Sequence, residues 1–265
     1  MSRQIRALED ELGVALFERR PRTLVLTGDG ERLFATCSAV IAQLRATVAE
    51  IRAPQRREVV SLTTLPGLAS LWLIPRLARF TRAHPGLYVR IDASFDKRSL
   101  AADGYDIAIR HRPVGPGEGV ALFAESVQPV CSPALLQAGP PLVTPADLAQ
   151  HTMLQLDYGP PLGMPVEWAP WLATVGLPDL QPRAWLSFSA YSEAITAALL
   201  GQGVALGRRP IVDALLASGQ LVTPFADRAA SPFGYHVIVE PSARARPAVR
   251  ALERWLIDEA RATGA

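Results

Sequence analysis

Residues 2–33 read SRQIRALEDELGVALFERRPRTLVLTGDGERL, and this stretch decides how the chain is organised. Ile5, Leu8 and Leu12 fall three and four residues apart, which marks one face of a helix. Ser2, Arg3, Gln4 and Arg6 occupy its polar face, residue types that bond phosphates and base edges. Gly13 follows the last periodic position as a C-cap. A short apolar stretch, Val14 to Phe17, then leads to Arg19, Arg20, Pro21 and Arg22 and to the extended run Thr23 to Thr27. Charge alone leaves two readings of this basic hairpin. It is a cationic finger for phosphate or minor-groove contact, or it is a solvated charged turn.

The next segment, Gly28 to Ala53, reads as a long helix with an apolar seam. Phe34, Cys37, Ile41, Leu44, Val48 and Ile51 recur at spacings of 3, 4, 3, 4 and 3. That period keeps apolar residues facing a second, supercoiled helix. At about 1.5 Å per residue the helix spans roughly 39 Å. The pattern by itself also fits a helix packed onto its own domain. Ala53 and Pro54 end it, and Gln55, Arg56 and Arg57 form a polar hinge.

From Glu58 onward short strands alternate with helices, the pattern of parallel α/β lobes. Val59–Thr64 reads as a strand. Leu68–His84 is helical in period, with Pro75 forcing a kink or restart because it lacks an amide donor. Leu87, Val89 and Ile91 alternate with Tyr88, Arg90 and Asp92 in a second strand, and Tyr105–Arg110 is a third. Ser132-Pro133 and Thr144-Pro145 each place a capping hydroxyl before a proline in the first helical turn. Tyr191–Leu200 reads as a helix, Val204–Leu206 as a buried strand and Tyr235–Val239 as a late strand. Pro247 opens a terminal helix that buries Val249, Leu252 and Leu256.

A chain of 265 residues allows one or two domains with a sizeable core. The net charge of +2 is too small to imply nucleic acid, so the local arginines carry that inference. Cys37 and Cys131 fall in separate elements, which argues against a disulfide and for a reducing cytoplasm. No membrane span or signal peptide is evident, and a soluble, cytoplasmic protein is expected. Enzyme motifs fail on inspection. GQGVALG precedes its strand with the wrong glycine spacing, and GDGERL lacks a preceding long strand. There is no G-x-S-x-G elbow. His84, His111, His151 and His236 lack metal-ligand spacing. The expectation is no enzyme, no cofactor and no metal.

The opening stretch resembles the junction of winged helix-turn-helix and linker helix in the LysR-type transcriptional regulators. ASLWLIPRLARFTRAHP, DGYDIAIRHRP, PVCSPALL, TPADLAQHTMLQLD, GQGVALGRRPIV and RPAVRALERWLIDEA, in that order, resemble the effector-binding domain of the same family. The flavour is that of the subgroup holding glycine-cleavage activators and β-lactamase regulators. The resemblance implies an α/β chain: a partial winged helix-turn-helix and long linker helix, then a two-lobed, periplasmic-binding-protein-like effector domain. The expected divisions are residues 1–27 for the C-terminal part of the DNA-binding domain and 28–57 for the dimerisation helix and hinge. The effector-binding domain takes 58–265, with lobe 1 at about 58–128 and 237–265 and lobe 2 at about 129–236. Crossovers are expected near Gln128–Cys131 and Gly234–Val237. The front of the recognition helix would lie upstream of Met1, through a misassigned start or a real truncation.

Carried residue by residue, the resemblance puts Ser2, Arg3 and Gln4 late on the recognition helix, with Arg6 on the same face. Arg19 and Arg22 fall on the wing, and Thr27 lies near a phosphate. Phe34, Cys37, Ile41, Leu44, Val48 and Ile51 would form the dimer seam. For the effector, the first strand-helix loop, TTLPGLAS, offers Thr63, Thr64 and Ser70, with Gly67 admitting close backbone approach. Arg110 and His111 would supply positive charge, Ser132 a hydroxyl at a helix N-terminus, and Ser189 and Tyr191 a second-lobe loop. Expected partners are DNA at a dyad-symmetric promoter site, a small-molecule effector with an apolar part, and a second copy of the chain as homodimer or homotetramer. RNA polymerase is a further partner left open, and no membrane is expected. The alternative is a truncated ligand-binding and dimerisation protein that no longer binds DNA specifically.

Overall fold

The structure is a computed structural model that describes residues 3–20, 23–52, 58–157 and 168–263. The chain divides into two compact units. One comprises residues 1–56 with 99–104, and the other 57–98 with 105–265.

In the first unit, helix α1 (Arg3–Leu12) is followed by Gly13 at φ +69°, the left-handed C-terminal position that the sequence anticipates. Strands β1 (Phe17–Arg20) and β2 (Thr23–Leu26) pair antiparallel, Phe17 opposite Leu26 and Arg20 opposite Thr23. Helix α2 (Gly28–Arg52) then runs 25 residues without a break. Its expected stop at Ala53 and Pro54, and the hinge through Arg57, lie outside the described residues. The same unit includes a short helix later in the chain, Leu100–Asp103.

The second unit is built on one mixed sheet. In chain order it holds β3 (Glu58–Thr64), α3 (Pro66–Leu68), α4 (Ile74–Ala83) and β4 (Leu87–Ala93). After α5 (Leu100–Asp103) come β5 (Ile107–Pro113), β6 (Val120–Val130), α6 (Pro133–Ala138), β7 (Thr152–Leu156) and α7 (Trp168–Thr174). Then follow β8 (Ala184–Phe188), α8 (Tyr191–Leu199), β9 (Val204–Arg209), α9 (Asp213–Ala217), β10 (Ala229–Val239) and α10 (Pro247–Ala262). The strand order is β4-β3-β5-β10-β6-β9-β7-β8. Strands β4, β3 and β5 are parallel, as are β9, β7 and β8, while β6 and β10 run antiparallel between the two sets.

The two middle strands are longer than the sequence suggests. β6 pairs β10 through Val120–Val127 and then β9 through Ser126–Val130, so a single strand belongs to both halves. The register of β10 against β6 shifts between Ala230 and Gly234 and again between Tyr235 and His236. Each shift lets the strand bend as it passes from one half to the other.

Local physics explains the helix ends. Pro75 does force a restart: five residues, Ala69–Leu73, form a π-helical turn between α3 and α4. Ser132 caps α6 by accepting from the Leu135 amide, with Pro133 in the first turn. Thr144-Pro145 opens only a 3-10 helix, Pro145–Gln150, in which the Asp147 carboxylate accepts from the amides of Val143 and Thr144. α10 buries Val249, Leu252 and Leu256, as expected. A main core gathers Leu62, Trp72, Ile107, Ile109 and Tyr235 with that helix. A second core gathers Cys131, Leu148, Met153, Trp168 and Trp171.

Candidate functional site

The N-terminal unit ties its helix to its hairpin through polar side chains. Glu9 of α1 accepts from the amides of Leu16 at 2.8 Å and Phe17 at 3.2 Å. The Thr27 hydroxyl accepts from the Gly30 amide at 3.0 Å and donates to the Ala15 carbonyl at 2.7 Å. Thr27 is therefore the N-cap of α2 as well as a link back to the chain before β1. Gly30 is required there, since a Cβ would lie 2.1 Å from the Leu16 carbonyl oxygen.

Of the residues expected to face DNA, Gln4 and Arg6 are exposed on α1. Arg3 lies on α1 and Arg19 on β1, with side chains outside the described part, and Ser2 and Arg22 lie outside the described residues altogether. The apolar face of α1 is less covered than its periodicity suggests: Ile5 is half-buried, and Leu8 and Leu12 are exposed. On α2 the expected seam stands out into solvent. Phe34, Cys37, Ile41 and Leu44 are exposed and Val48 is half-buried. The Ile51 side chain lies outside the described part.

In the second unit the expected effector residues divide into two groups. Thr63 and Thr64 end β3, which is paired on both sides, and are buried. Their hydroxyls donate to Asp92 Oδ2 at 3.1 Å and to the Ile109 carbonyl at 3.2 Å. Ser132 is buried as a cap, while Ser70 and Ser189 are exposed. Arg110 donates to the Arg98 carbonyl, and burial pushes its pKa down.

Gly67 and Tyr191, by contrast, are brought together. Gly67 follows the C-terminal end of β3, and Tyr191 begins α8 on the other half of the sheet. A Cβ on Gly67 would sit 3.0 Å from both Cβ and Cδ1 of Tyr191, so any larger residue would require the tyrosine to give by a few tenths of an ångström. The Tyr191 hydroxyl accepts from the Arg208 amide at 2.6 Å, and the Arg208 guanidinium lies 4.9 Å from its ring centre. Behind Tyr191 is a small recess, with room for about one water, lined by Leu154, Gln155, Leu156, Trp168, Ala194 and Arg208, among others.

His111 lies on β5, opposite Tyr235 of β10. Its ring is stacked on Phe233 at 5.2 Å and tilted against Tyr235 at 4.8 Å. Its Nε2 is 3.4 Å from Glu125 Oε1, and both side chains are buried. Neither oxygen of Glu125 has an aligned hydrogen-bond donor among the described residues, so the two groups are close without an aligned hydrogen bond. Buried His236 lies on β10, opposite Arg110 of β5. Burial holds its pKa below the usual histidine range, and the positive charge of Arg112 adds to this.

Sequence reading missed Arg208, Glu125, His236 and Trp168. Glu125 sits in a strand that the pattern does not reveal, whereas His236 falls within Tyr235–Val239, which reads as a strand, and is weighed only as a metal ligand. Arg208 follows GQGVALG and could have been flagged as a charge at the end of a buried strand. Among the described residues no cluster of three or more His, Cys, Asp or Glu could hold a metal. No helix among them is long and apolar enough to cross a membrane.

Comparison with known proteins gives two family matches. Residues 53–261 match the LysR substrate binding domain, and residues 1–31 match the bacterial regulatory helix-turn-helix protein, lysR family. The glycine cleavage system transcriptional activator of Escherichia coli (strain K12) is 34% identical over 264 residues, covering 99% of this chain and 85% of the relative. The HTH-type transcriptional activator AmpR of Pseudomonas aeruginosa is 31% identical, with 98% and 86% covered. Among solved structures, the effector domain of that AmpR superposes with a TM-score of 0.60 at 29% identity, over 77% of this chain and 96% of the other. CrgA from Neisseria meningitidis, at 22% identity, shares the fold with a TM-score of 0.60 over 99% of this chain and 88% of its own.

Proposed function

The chain belongs to the LysR family of transcriptional regulators, and from that premise we propose how its parts divide the work. It is a LysR-type regulator with an effector-binding domain. In our reading Arg3, Gln4, Arg6, Arg19 and Arg22 meet promoter DNA, with Ser2 and Thr27 at the edges of that surface. The α2 seam pairs two copies, which gives a two-part DNA site. An effector between the halves of the second unit, near Gly67, His111 and Tyr191, shifts the population of lobe orientations and so the DNA contacts.

The observation that carries this reading is the exposed apolar seam of α2, placed between a basic hairpin and an effector domain. The test is fluorescence anisotropy on the DNA flanking the gene, over a range of salt. Binding should weaken steeply with salt, and an Arg19→Ala/Arg22→Ala double variant should flatten the log–log slope by up to about two units. A slope that does not change would remove the wing from the interface. No preference for the flanking DNA over unrelated DNA would count against regulation by this chain.

A further inference from the structure

The two halves of the second unit touch where α3 lies against α8. On one side Gly67, Leu68 and Ala69 are buried, and on the other Tyr191, Ala194, Ile195 and Ala198 are buried. Leu68, Trp72, Tyr191 and Ile195 belong to one apolar core, which also holds Leu62 and Ile107 of the first half and Leu154 and Ala205 of the second. Parting the halves would expose this apolar surface to water, so the contact holds itself shut. A charge contact from α4 acts in the same sense. Burial pushes the Arg76 pKa down, while the carboxylates of Glu259 and of Asp213, on the other half, pull it up.

Tyr191 is the tightest point of this contact, and it is fixed from both sides. Its hydroxyl accepts from the Arg208 amide at 2.6 Å, which keys the ring to β9, and the Arg208 guanidinium lies 4.9 Å from the ring centre. The recess behind the ring has room for about one water, far less than a phenol needs, so the ring cannot withdraw into its own half. In front, Gly67 approaches so closely that a Cβ there would lie 3.0 Å from Tyr191 Cβ and Cδ1. We propose that Tyr191 is a latch: seated on Gly67 and keyed to β9, it holds the two halves closed, so that the movement open to this domain is an opening. The proposal takes its regulatory meaning from the effector-domain reading, whereas the latch itself is tested with no ligand added.

The test is hydrogen exchange of the full chain, read by mass spectrometry in residues 66–73 and 191–199, with residues 247–262 of α10 as the control for global unfolding. The chain is first refolded from urea, which removes carried-over small molecules. Gly67→Val sets a branched side chain against Tyr191 and should speed exchange in 191–199, on the facing half, by about fivefold or more. Tyr191→Phe removes only the hydroxyl that keys the ring to β9 and should speed exchange in 66–73, again on the facing half, by about twofold or more. Exchange in α10 should stay unchanged in both variants.

A change confined to the substituted half in either variant, or no change at all, overturns the latch. Should Gly67→Val loosen α10 as well, Gly67→Ala carries the same comparison, since it asks Tyr191 to give by only a few tenths of an ångström. None of these outcomes touches DNA binding, which the anisotropy measurement tests separately.

Discussion

Helices α2 and α10 are both amphipathic by sequence, yet the structure treats them in opposite ways. In α10, Leu252 and Leu256 are completely buried beneath the sheet. In α2, Phe34 is 64% exposed and Leu44 62% exposed. The difference lies in what covers each stripe, since Val249, Leu252 and Leu256 also fall three and four apart. The α10 stripe packs into the main core, whereas Phe34, Cys37, Ile41 and Leu44 stay exposed on a repeat that runs on through Val48 and Ile51, long enough to suit a second helix winding around it. Each large apolar side chain left in water forgoes about 1.5–3 kcal/mol. We propose that a second copy of the chain covers this seam.

Substitutions in the two helices should break along that line. Leu252→Ala should lower unfolding stability by about 2–5 kcal/mol through the cavity it leaves, with no change in assembly. Denaturant unfolding and sedimentation on the same sample would check both halves of that statement. Thr27→Ala should cost about 1 kcal/mol by removing the α2 cap, read as earlier thermal loss of helix signal from the N-terminal unit.

The two cysteines sharpen the same contrast. Burial pushes the Cys131 thiol up to about 11, so it should react with a thiol reagent only on unfolding. Cys37 lies on the exposed seam and should react first, more slowly as protein concentration rises and a partner covers it. If both thiols react at one rate, either the second core opens readily or the seam is already closed.

The smallest expected effect is on pH dependence. Burial favours neutral His236 in the folded chain, so the unfolded chain takes up the proton first as pH falls. The melting temperature should therefore decline from about pH 7 toward about pH 5, and His236→Asn should remove part of that decline. No such contribution is expected above that window.

Much of this architecture is legible in the sequence because local rules govern it. The heptad seam, the Ser132-Pro133 cap, the restart at Pro75 and the buried face of α10 all follow from spacing and from proline's missing amide. The candidate effector site is less legible, because strand pairing over long separations creates it. The sequence reads Val59–Thr64 as a strand but does not say that strands flank it on both sides, and there the Thr63 and Thr64 hydroxyls engage Asp92 and the Ile109 carbonyl. The shared strands β6 and β10 carry Glu125 and His236 to His111 across a sheet that no local pattern announces. Gly67 and Tyr191 were each read as candidates, but their contact is visible only in the fold.

The central claim is that α2 is completed by another copy of the chain, and sedimentation velocity tests it most directly. At micromolar concentration the unmodified chain should sediment as a dimer or a multiple of one, and Leu44→Glu should sediment as a folded monomer. A monomeric unmodified chain, or an unchanged dimer in Leu44→Glu, would contradict the account.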